Sequence, residues 1–318
     1  MDARADEGVC RLLRVGRTVS DLPRAMAFYR DALGFAAIGE ICDADPAAAR
    51  LLGGAACMRR VGMSLGADEI ELIAFDPPGH VYPPDSTAAD LWFQHIAVVA
   101  SDIDAAYQRL QGHGSGAITT DGPQRLPPAA GGVSAFKFRD PDGHPVELIE
   151  FPLGTGAPKW RGQGASRITM GCDHSAISVA DVERSVTFYT RLLGLREASR
   201  RFNRSVEQDR LDGLHEVAVD VIALQTGEVA TPHLELLAYR SPRGRAAQEP
   251  LRPDHIACDR LVFEVANLNA LIKPIERAGR TSGARGCATI SDAYADGSRA
   301  ALVRDPDGHL LMLCEATT

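Results

Sequence analysis

Nothing in this sequence has the length or composition of a membrane span or a secretory leader. Its apolar runs are strand-sized, well short of the roughly 20 residues that cross a bilayer. The first ten residues, MDARADEGVC, carry charge where a leader would carry an apolar core, and the expected location is therefore cytoplasmic. No C-x-x-C pair occurs among the seven cysteines (Cys10, Cys42, Cys57, Cys172, Cys258, Cys287 and Cys314), which are odd in number and scattered. That excludes a zinc knuckle and a disulfide framework and favours free thiols in a reducing compartment. Clustered cations are lacking as well, and a net charge of −8 argues against a nucleic-acid surface. A small molecule, neutral or modestly polar, suits this balance better as the partner.

What is present is enough chain for two domains of ordinary size: 318 residues, 45% of them hydrophobic. Within it lies a fourfold repeat. Four segments align without a gap: RVGRTVSDL from Arg14, HIAVVASDI from His95, HSAISVADV from His174 and RLVFEVANL from Arg260. Each alternates as a strand does and ends on Asp21, Asp102, Asp181 or Asn267, a side chain suited to capping a following helix. A repeat of this kind constrains architecture before any single residue is interpreted.

Apolar residues at helical spacing follow, most clearly in Asp21–Phe35 and Asp181–Leu195, with Gly34 and Gly194 as stops. The copies at Asp102–Gln111 and Asn267–Gly279 keep a looser apolar stripe. Three strand candidates come after each helix, so one module reads β-α-β-β-β and the class is α+β. Modules one and three close on Ile70–Phe75 and Leu234–Tyr239. Modules two and four close on Pro145–Phe151 and Leu310–Glu315, each after an R-D-P-D-G-H turn. The modules thus alternate, a duplication of a duplication. The Pro- and Gly-rich stretches Asp76–Asp90 and Phe151–Arg167 read as linkers, the second between the halves.

The paired modules, V-S-D-L…A-F-Y…L-G-F beside V-A-D-V…T-F-Y…L-G-L, and the two D-P-D-G-H turns resemble the vicinal oxygen chelate superfamily. Glyoxalase I, methylmalonyl-CoA epimerase, extradiol dioxygenases and the fosfomycin and bleomycin resistance proteins belong to it. The resemblance covers nearly the whole chain. It implies four modules paired into two open mixed-sheet barrels, with one domain at 8–155 (modules one and two), a linker at 156–168 and a second domain at 169–318 (modules three and four).

It also implies a divalent metal inside a barrel, with ligands from the first and last strands of the paired modules. Those positions are Arg14, His95, His174 and Arg260 on the first strands, and Glu71, Glu147, Glu235 and Met312 on the last. If neighbouring modules pair, each site contains an arginine that repels a cation. If the pairing is exchanged, as in a fused glyoxalase-type dimer, modules two and three supply His95, Glu147, His174 and Glu235. Modules one and four are then left with Arg14, Glu71, Arg260 and Met312, a vestigial set in which an arginine stands for the metal's charge and pairs with Glu71. The expectation is one metal ion per chain. Imidazole and carboxylate suit Zn, Ni, Co, Mn or Fe(II), and no thiolate narrows the choice.

A metal so held acidifies the C–H next to a chelated oxygen pair, and Glu147 or Glu235 is the candidate general base. The leading function is a glyoxalase-type lyase or isomerase. An Fe(II) extradiol dioxygenase is the alternative, although GGVSAFKFRDPDG lacks the histidine and tyrosine that ring-cleaving relatives carry there, with Phe138 in the tyrosine's place. A metal-free binding or resistance protein is the third reading, and the resemblance also allows a homodimer. Further candidates for the substrate pocket are Trp92, Phe93, Gln124, Asn203, Gln208 and His233. His144 and His309 read as turn or surface residues, Glu150 and Glu315 as rim charges, and Phe28/Tyr29 and Phe188/Tyr189 as helix core.

Overall fold

The computed structural model describes residues 8–53, 57–161, 167–227, 229–277, 288–289 and 299–316. Module one runs β1 (Val9–Thr18), α1 (Leu22–Asp31), β2 (Ala36–Asp43), α2 (Pro46–Leu51), β3 (Cys57–Leu65) and β4 (Asp68–Asp76). Module two runs β5 (Gln94–Ala100), α3 (Ile103–Leu110), the short β6 (Gly116–Ala117) and β7 (Gln124–Arg125), then β8 (Ser134–Arg139) and β9 (Pro145–Glu150). Module three runs β10 (Thr169–Ser178), α4 (Val182–Thr187), β11 (Arg196–Asn203), α5 (Val206–Asp212), β12 (Ala218–Thr226) and β13 (Val229–Ser241). Module four runs β14 (Asp259–Val265), α6 (Leu268–Arg277), β15 (Ala288–Thr289), β16 (Arg299–Arg304) and β17 (Leu310–Glu315).

The repeated Asx residues cap all four helices. Asp21, Asp102, Asp181 and Asn267 accept from the amides of Arg24, Ala105, Arg184 and Ala270 at 2.9, 2.9, 3.0 and 3.1 Å, each a contact typically worth about 1 kcal/mol. The second helix of this type does not run on uniformly to Leu195. From Phe188 to Leu192 it widens into a π turn, and the Thr190 hydroxyl bonds back to the Val186 carbonyl at 2.7 Å. Such back-bonding competes with the helical ladder and bends it; α1 has Arg30 at the equivalent position and stays α-helical. The segment that carries Asn203 and Gln208 holds helix α5. Ser205 caps it at 3.1 Å, and Gly213 ends it at a φ of +61°.

The sheet order decides how modules pair. One sheet is β15-β16-β17-β14-β1-β4-β3-β2 and the other β11-β12-β13-β10-β5-β9-β8-β6, with β7 also on β8. Each sheet therefore takes one module from either side of 156–168: one with four, two with three. The units 8–155 and 169–318 mark the repeat, while neither half closes a sheet on its own. In both sheets two first strands meet antiparallel at the centre, β1 with β14 and β5 with β10. Each first strand also lies parallel to the last strand of its own module. Both sheets are mixed and open.

The halves are nevertheless tied internally, by the D-P-D-G-H turns. His144 and His309 are not surface residues: both are buried. Their Nε2 atoms reach the backbone carbonyls of Thr18 and Ser178 at 2.8 and 2.9 Å. The turn carboxylates Asp140 and Asp305 accept from the Tyr29 and Tyr189 hydroxyls at 2.9 and 3.1 Å, which is why those two tyrosines stand in the helix core. Glu150 and Glu315 are anchors as well as rim charges, accepting from the first-turn amides of α3 and α6 at 2.7 and 3.0 Å. The main apolar core draws from both sheets and the helices over them, with Leu22, Phe28, Phe35, Ile96, Phe138, Ile177, Leu236 and Phe263 among its members. The described cysteines are all free thiols, and Cys287 lies outside the described residues. No helix among the described residues is long and apolar enough to cross a membrane.

Candidate metal centre

The strand register of the two-plus-three sheet brings four chemically active side chains to one face. His174 of β10 lies opposite Ala97 of β5, and Ala97 lies beside Glu147 of β9. His95 of β5 lies opposite Ala176 of β10, and Ala176 lies beside Glu235 of β13. Residues aligned across a sheet point to one side, as do residues i and i+2 along a strand. Two neighbouring rows result, each with a polar group at both ends and a fully buried alanine between them, and the small alanines leave room for the long side chains to converge above.

They do converge. His95 Nε2 is 2.8 Å from a Glu147 oxygen, 3.4 Å from His174 Nε2, and the same Glu147 oxygen is 3.7 Å from His174 Nε2. One ligand atom from each of His95, Glu147 and His174 falls within 4.8 Å of the others. Glu235 stands to the side, 3.6 Å from His174 Nε2 and 3.5 Å from His233 Nε2, with 19% of its side chain exposed against 8% for Glu147.

The electrostatics follow from burial and from the neighbours. Burial, with Lys137 and His174 adding to it and Glu147 opposing it, pushes the His95 imidazolium down to about 4. For His174 burial acts the same way, yet Glu235, Asp173 and Glu147 together overcome it and raise the value well above the usual histidine range. Burial would raise both glutamates, but the histidines hold Glu147 well below the usual carboxylate range and Glu235 at about 2. The site thus holds two carboxylates kept low by the neighbouring histidines, with the Lys137 ammonium adding to the effect at Glu147.

This donor set fits a metal. Two nitrogens each about 2.0–2.1 Å from one ion lie roughly 2.9–3.4 Å apart in octahedral or tetrahedral arrangement, and the two Nε2 atoms are 3.4 Å apart. Ligating histidines characteristically give their other nitrogen to a carboxylate. His174 Nδ1 faces Asp173 at 3.2 Å, and Asp173 in turn accepts from the Trp160 indole at 2.7 Å. Asp173 and Trp160 escaped the sequence reading because nothing marks one acid in a mixed strand, or one aromatic in a linker, as part of a site.

The ligand face opens on a cavity of about 100 Å³. Of the expected pocket residues, Asn203 and Gln208 line it, their side-chain amides bonded to one another at 3.0 Å. His233 stands behind Glu235, its ring 5.4 Å from that of His174. Phe93 packs edge-on to His95 with ring centroids 5.7 Å apart. Trp92 and Gln124 lie elsewhere: Trp92 bonds Ser86 at 2.9 Å and packs with Tyr82 and Ala257. Gln124 is spent within its own loop, bonding the Gly122 carbonyl at 2.9 Å. Phe138, at the position of the ring-cleaving tyrosine, is buried in the core against Phe28 and Phe136 rather than in the cavity. Lys137 and Asp212 line or adjoin the cavity as a buried ion pair of 2.7 Å, and the sequence reading passed over both.

A family model for the Glyoxalase/Bleomycin resistance protein/Dioxygenase superfamily matches residues 11–148 and 171–313, one match in each half. The chain belongs to that superfamily. Among solved structures, glyoxalase I from Zea mays is similar at a TM-score of 0.60 and 17% identity, with 96% of this chain and 92% of that one covered. A point variant of the same enzyme gives 0.62 at 17% identity and the same coverage. A Bacillus subtilis protein provisionally described as a dioxygenase gives 0.58 at 11% identity, covering 98% of this chain and 87% of that one. At these identities the likeness is one of fold. Curated proteins offer no sequence match.

The superfamily pattern makes the other sheet instructive. There Arg260, Gly16 and Glu71 form one row and Arg14, Val262 and Met312 the other. Arg260 lies so close over Gly16 that a Cβ there would sit 2.7 Å from its Nη2. The nearest partner of Glu71 is Arg60 of β3, at 3.0 Å, ahead of Arg14 at 4.0 Å. The expected partners were Arg14 or Arg260, and Arg60 was missed because it lies on neither a first nor a last strand. Burial would raise Glu71, but Arg14, Arg260 and Arg60 hold it below its usual range. A carboxylate ringed by guanidinium groups, with a thioether at the fourth corner, is no cation site.

Proposed function

We propose that this protein is a divalent-metal-dependent enzyme of the glyoxalase type, a lyase or isomerase acting on a small substrate with two neighbouring oxygens, with one working metal site per chain. The observation that carries the reading is the convergence of His95, Glu147 and His174 beside Glu235 in a cavity, on a face whose pseudo-symmetric counterpart has arginines instead. His95, Glu147, His174 and Glu235 would hold the ion: Zn, Ni, Co, Mn or Fe(II) all suit such ligands. When bound, the metal supplies Lewis-acid polarisation of the substrate oxygens.

The chain's own residues do the rest. Asp173 fixes the His174 ring through Nδ1, leaving Nε2 toward the ligand face. Glu147 is buried against His95 and serves as an anchor, whereas Glu235 is more exposed, so its carboxylate is the one placed to take and return a substrate proton. Apolar walls from Leu126, Val133, Leu211 and Val219 exclude water around that transfer.

Metal content by elemental mass spectrometry tests the reading. About one divalent ion per chain is expected, lost in His174→Ala and unchanged in Arg14→His. Exchange of the α-proton of small α-hydroxy carbonyls, followed by NMR in D₂O, then tests the chemistry, with exchange abolished in Glu235→Gln. A protein purified without chelator that binds no metal would turn the reading toward a ligand-binding protein. A second reading rests on one feature, the tight trio of two histidines and one glutamate, which is the ligand set of Fe(II) oxygenases. Oxygen consumption with catechol by the Fe(II)-loaded protein, without α-proton exchange, would favour it over the first.

A further inference from the structure

We propose that Lys137 is a substrate-contacting residue of this site, its ammonium donating a hydrogen bond to the substrate oxygen on which negative charge builds during proton transfer. The inference rests on the proton-transfer reading given above. Along β8 the side chains alternate, Phe136 and Phe138 entering the core under the helices while Ala135 and Lys137 face the cavity side. Lys137 is directly opposite Glu147 in the β8–β9 register. It therefore stands beside a candidate metal ligand and over the space a chelated substrate would fill.

The ammonium is placed and not fully used. Lys137 is 4% exposed, and among the described residues the hydrogen bond it makes through Nζ goes to Asp212 at 2.7 Å. An ammonium has three N–H donors, so the others remain for a guest in the cavity. Asp212 is itself fixed, its second oxygen accepting from Gln208 at 2.8 Å, and Gln208 accepts from Asn203 at 3.0 Å. The chain Asn203, Gln208, Asp212 positions the lysine.

A purely structural ion pair explains this arrangement less well. Burying two charges costs several kcal/mol per ion before attraction offsets it, and apolar substitutes often serve stability as well or better. Only three lysines (Lys137, Lys159 and Lys273) occur among the 34 lysines and arginines. Where the chain needs other buried cations it uses Arg14, Arg17, Arg60 and Arg260. A lysine offers a compact charge with rotatable donors in place of a fixed fork, which suits a group shared between Asp212 and a substrate oxygen. In the reaction the proton leaves the substrate carbon for the Glu235 carboxylate, and the C–H electron pair moves toward the adjacent C–O group. The resulting oxyanion is held by the Lys137 N–H, with no proton transferred from the lysine.

The test uses the whole chain loaded with Co(II) and two probes, oxalate as an anionic two-oxygen ligand and imidazole as a neutral one, each titrated by the cobalt visible spectrum. Lys137→Met and the polar, near-isosteric Lys137→Gln are expected to weaken oxalate binding at least tenfold, with Lys137→Arg between them and wild type. Cobalt uptake and imidazole binding should stay within about twofold, and thermal midpoints report whether each variant folds. Unchanged oxalate affinity in a folded, cobalt-loaded Lys137→Gln protein overturns the role of the lysine and leaves the metal reading standing. Equal loss of oxalate and imidazole binding also overturns it, since that is the mark of a merely structural pair. A wild-type chain that takes up no cobalt overturns the metal reading, and the lysine's role with it.

Discussion

Asp173 and Gly16 show how much of this protein turns on residues next to the expected ones. Asp173 touches His174 Nδ1 at 3.2 Å, and loss of such a partner typically lowers metal affinity 10–100-fold. Asp173→Asn is therefore expected to release cobalt or zinc to a competing chelator at least tenfold more readily than wild type, with little change in fold by circular dichroism. Gly16 has an ordinary backbone, so its requirement is space: a Cβ would meet Arg260 at 2.7 Å. Gly16→Ala should destabilise by about 1–3 kcal/mol in urea unfolding, the usual cost of overpacking a filled interior. Ala176, at the matching place in the other sheet, is flanked by His95 and Glu235 and not by a guanidinium.

Among the elements, the D-P-D-G-H turns have the most to say about stability. His144 Nδ1 is 2.9 Å from Asp259, which also pairs with Arg17 at 3.1 Å, all three fully buried side chains. Burial would lower the His144 pKa, but Asp259 and Asp140 prevail and raise it above 6.5. A raised histidine contributes stability that is fully present below its unfolded value near 6.5 and lost as pH rises through the higher folded value. Thermal midpoints should thus decline as pH rises from about 6.5 through the folded value and level off above it, and His144→Gln should flatten the decline while lowering the acidic plateau. The helix caps form an independent set. Asp102→Ala removes a 2.9 Å bond to the Ala105 amide and should cost about 1 kcal/mol, read by denaturant midpoint at unchanged slope.

For the whole molecule, the exchange of modules has a direct consequence. Residues 8–155 alone would present β1 and β5 without the β14 and β10 partners that complete the sheets, and unpaired strands seek other chains. The two halves, produced as separate chains broken between 161 and 167, are expected to form a 1:1 complex on size exclusion. Either half alone should self-associate or precipitate. Recovery of a folded, monomeric 8–155 would contradict this.

The sequence by itself determined the repeat, the capped helices and the D-P-D-G-H turns, because each is a local pattern: alternation, a capping side chain, a turn; the family resemblance is what pointed to His95, Glu147, His174 and Glu235. It also posed the choice of module pairing and gave a charge argument for the exchanged form, since arginines and a cation do not share a site. Only the tertiary structure decided that choice, because strand order depends on contacts between segments far apart in the chain, and either pairing buries the same apolar faces. The same holds for Lys137 with Asp212, for Arg60 with Glu71, and for the Trp160–Asp173–His174 relay. Each joins residues whose spacing carries no period, so proximity in space alone could reveal them.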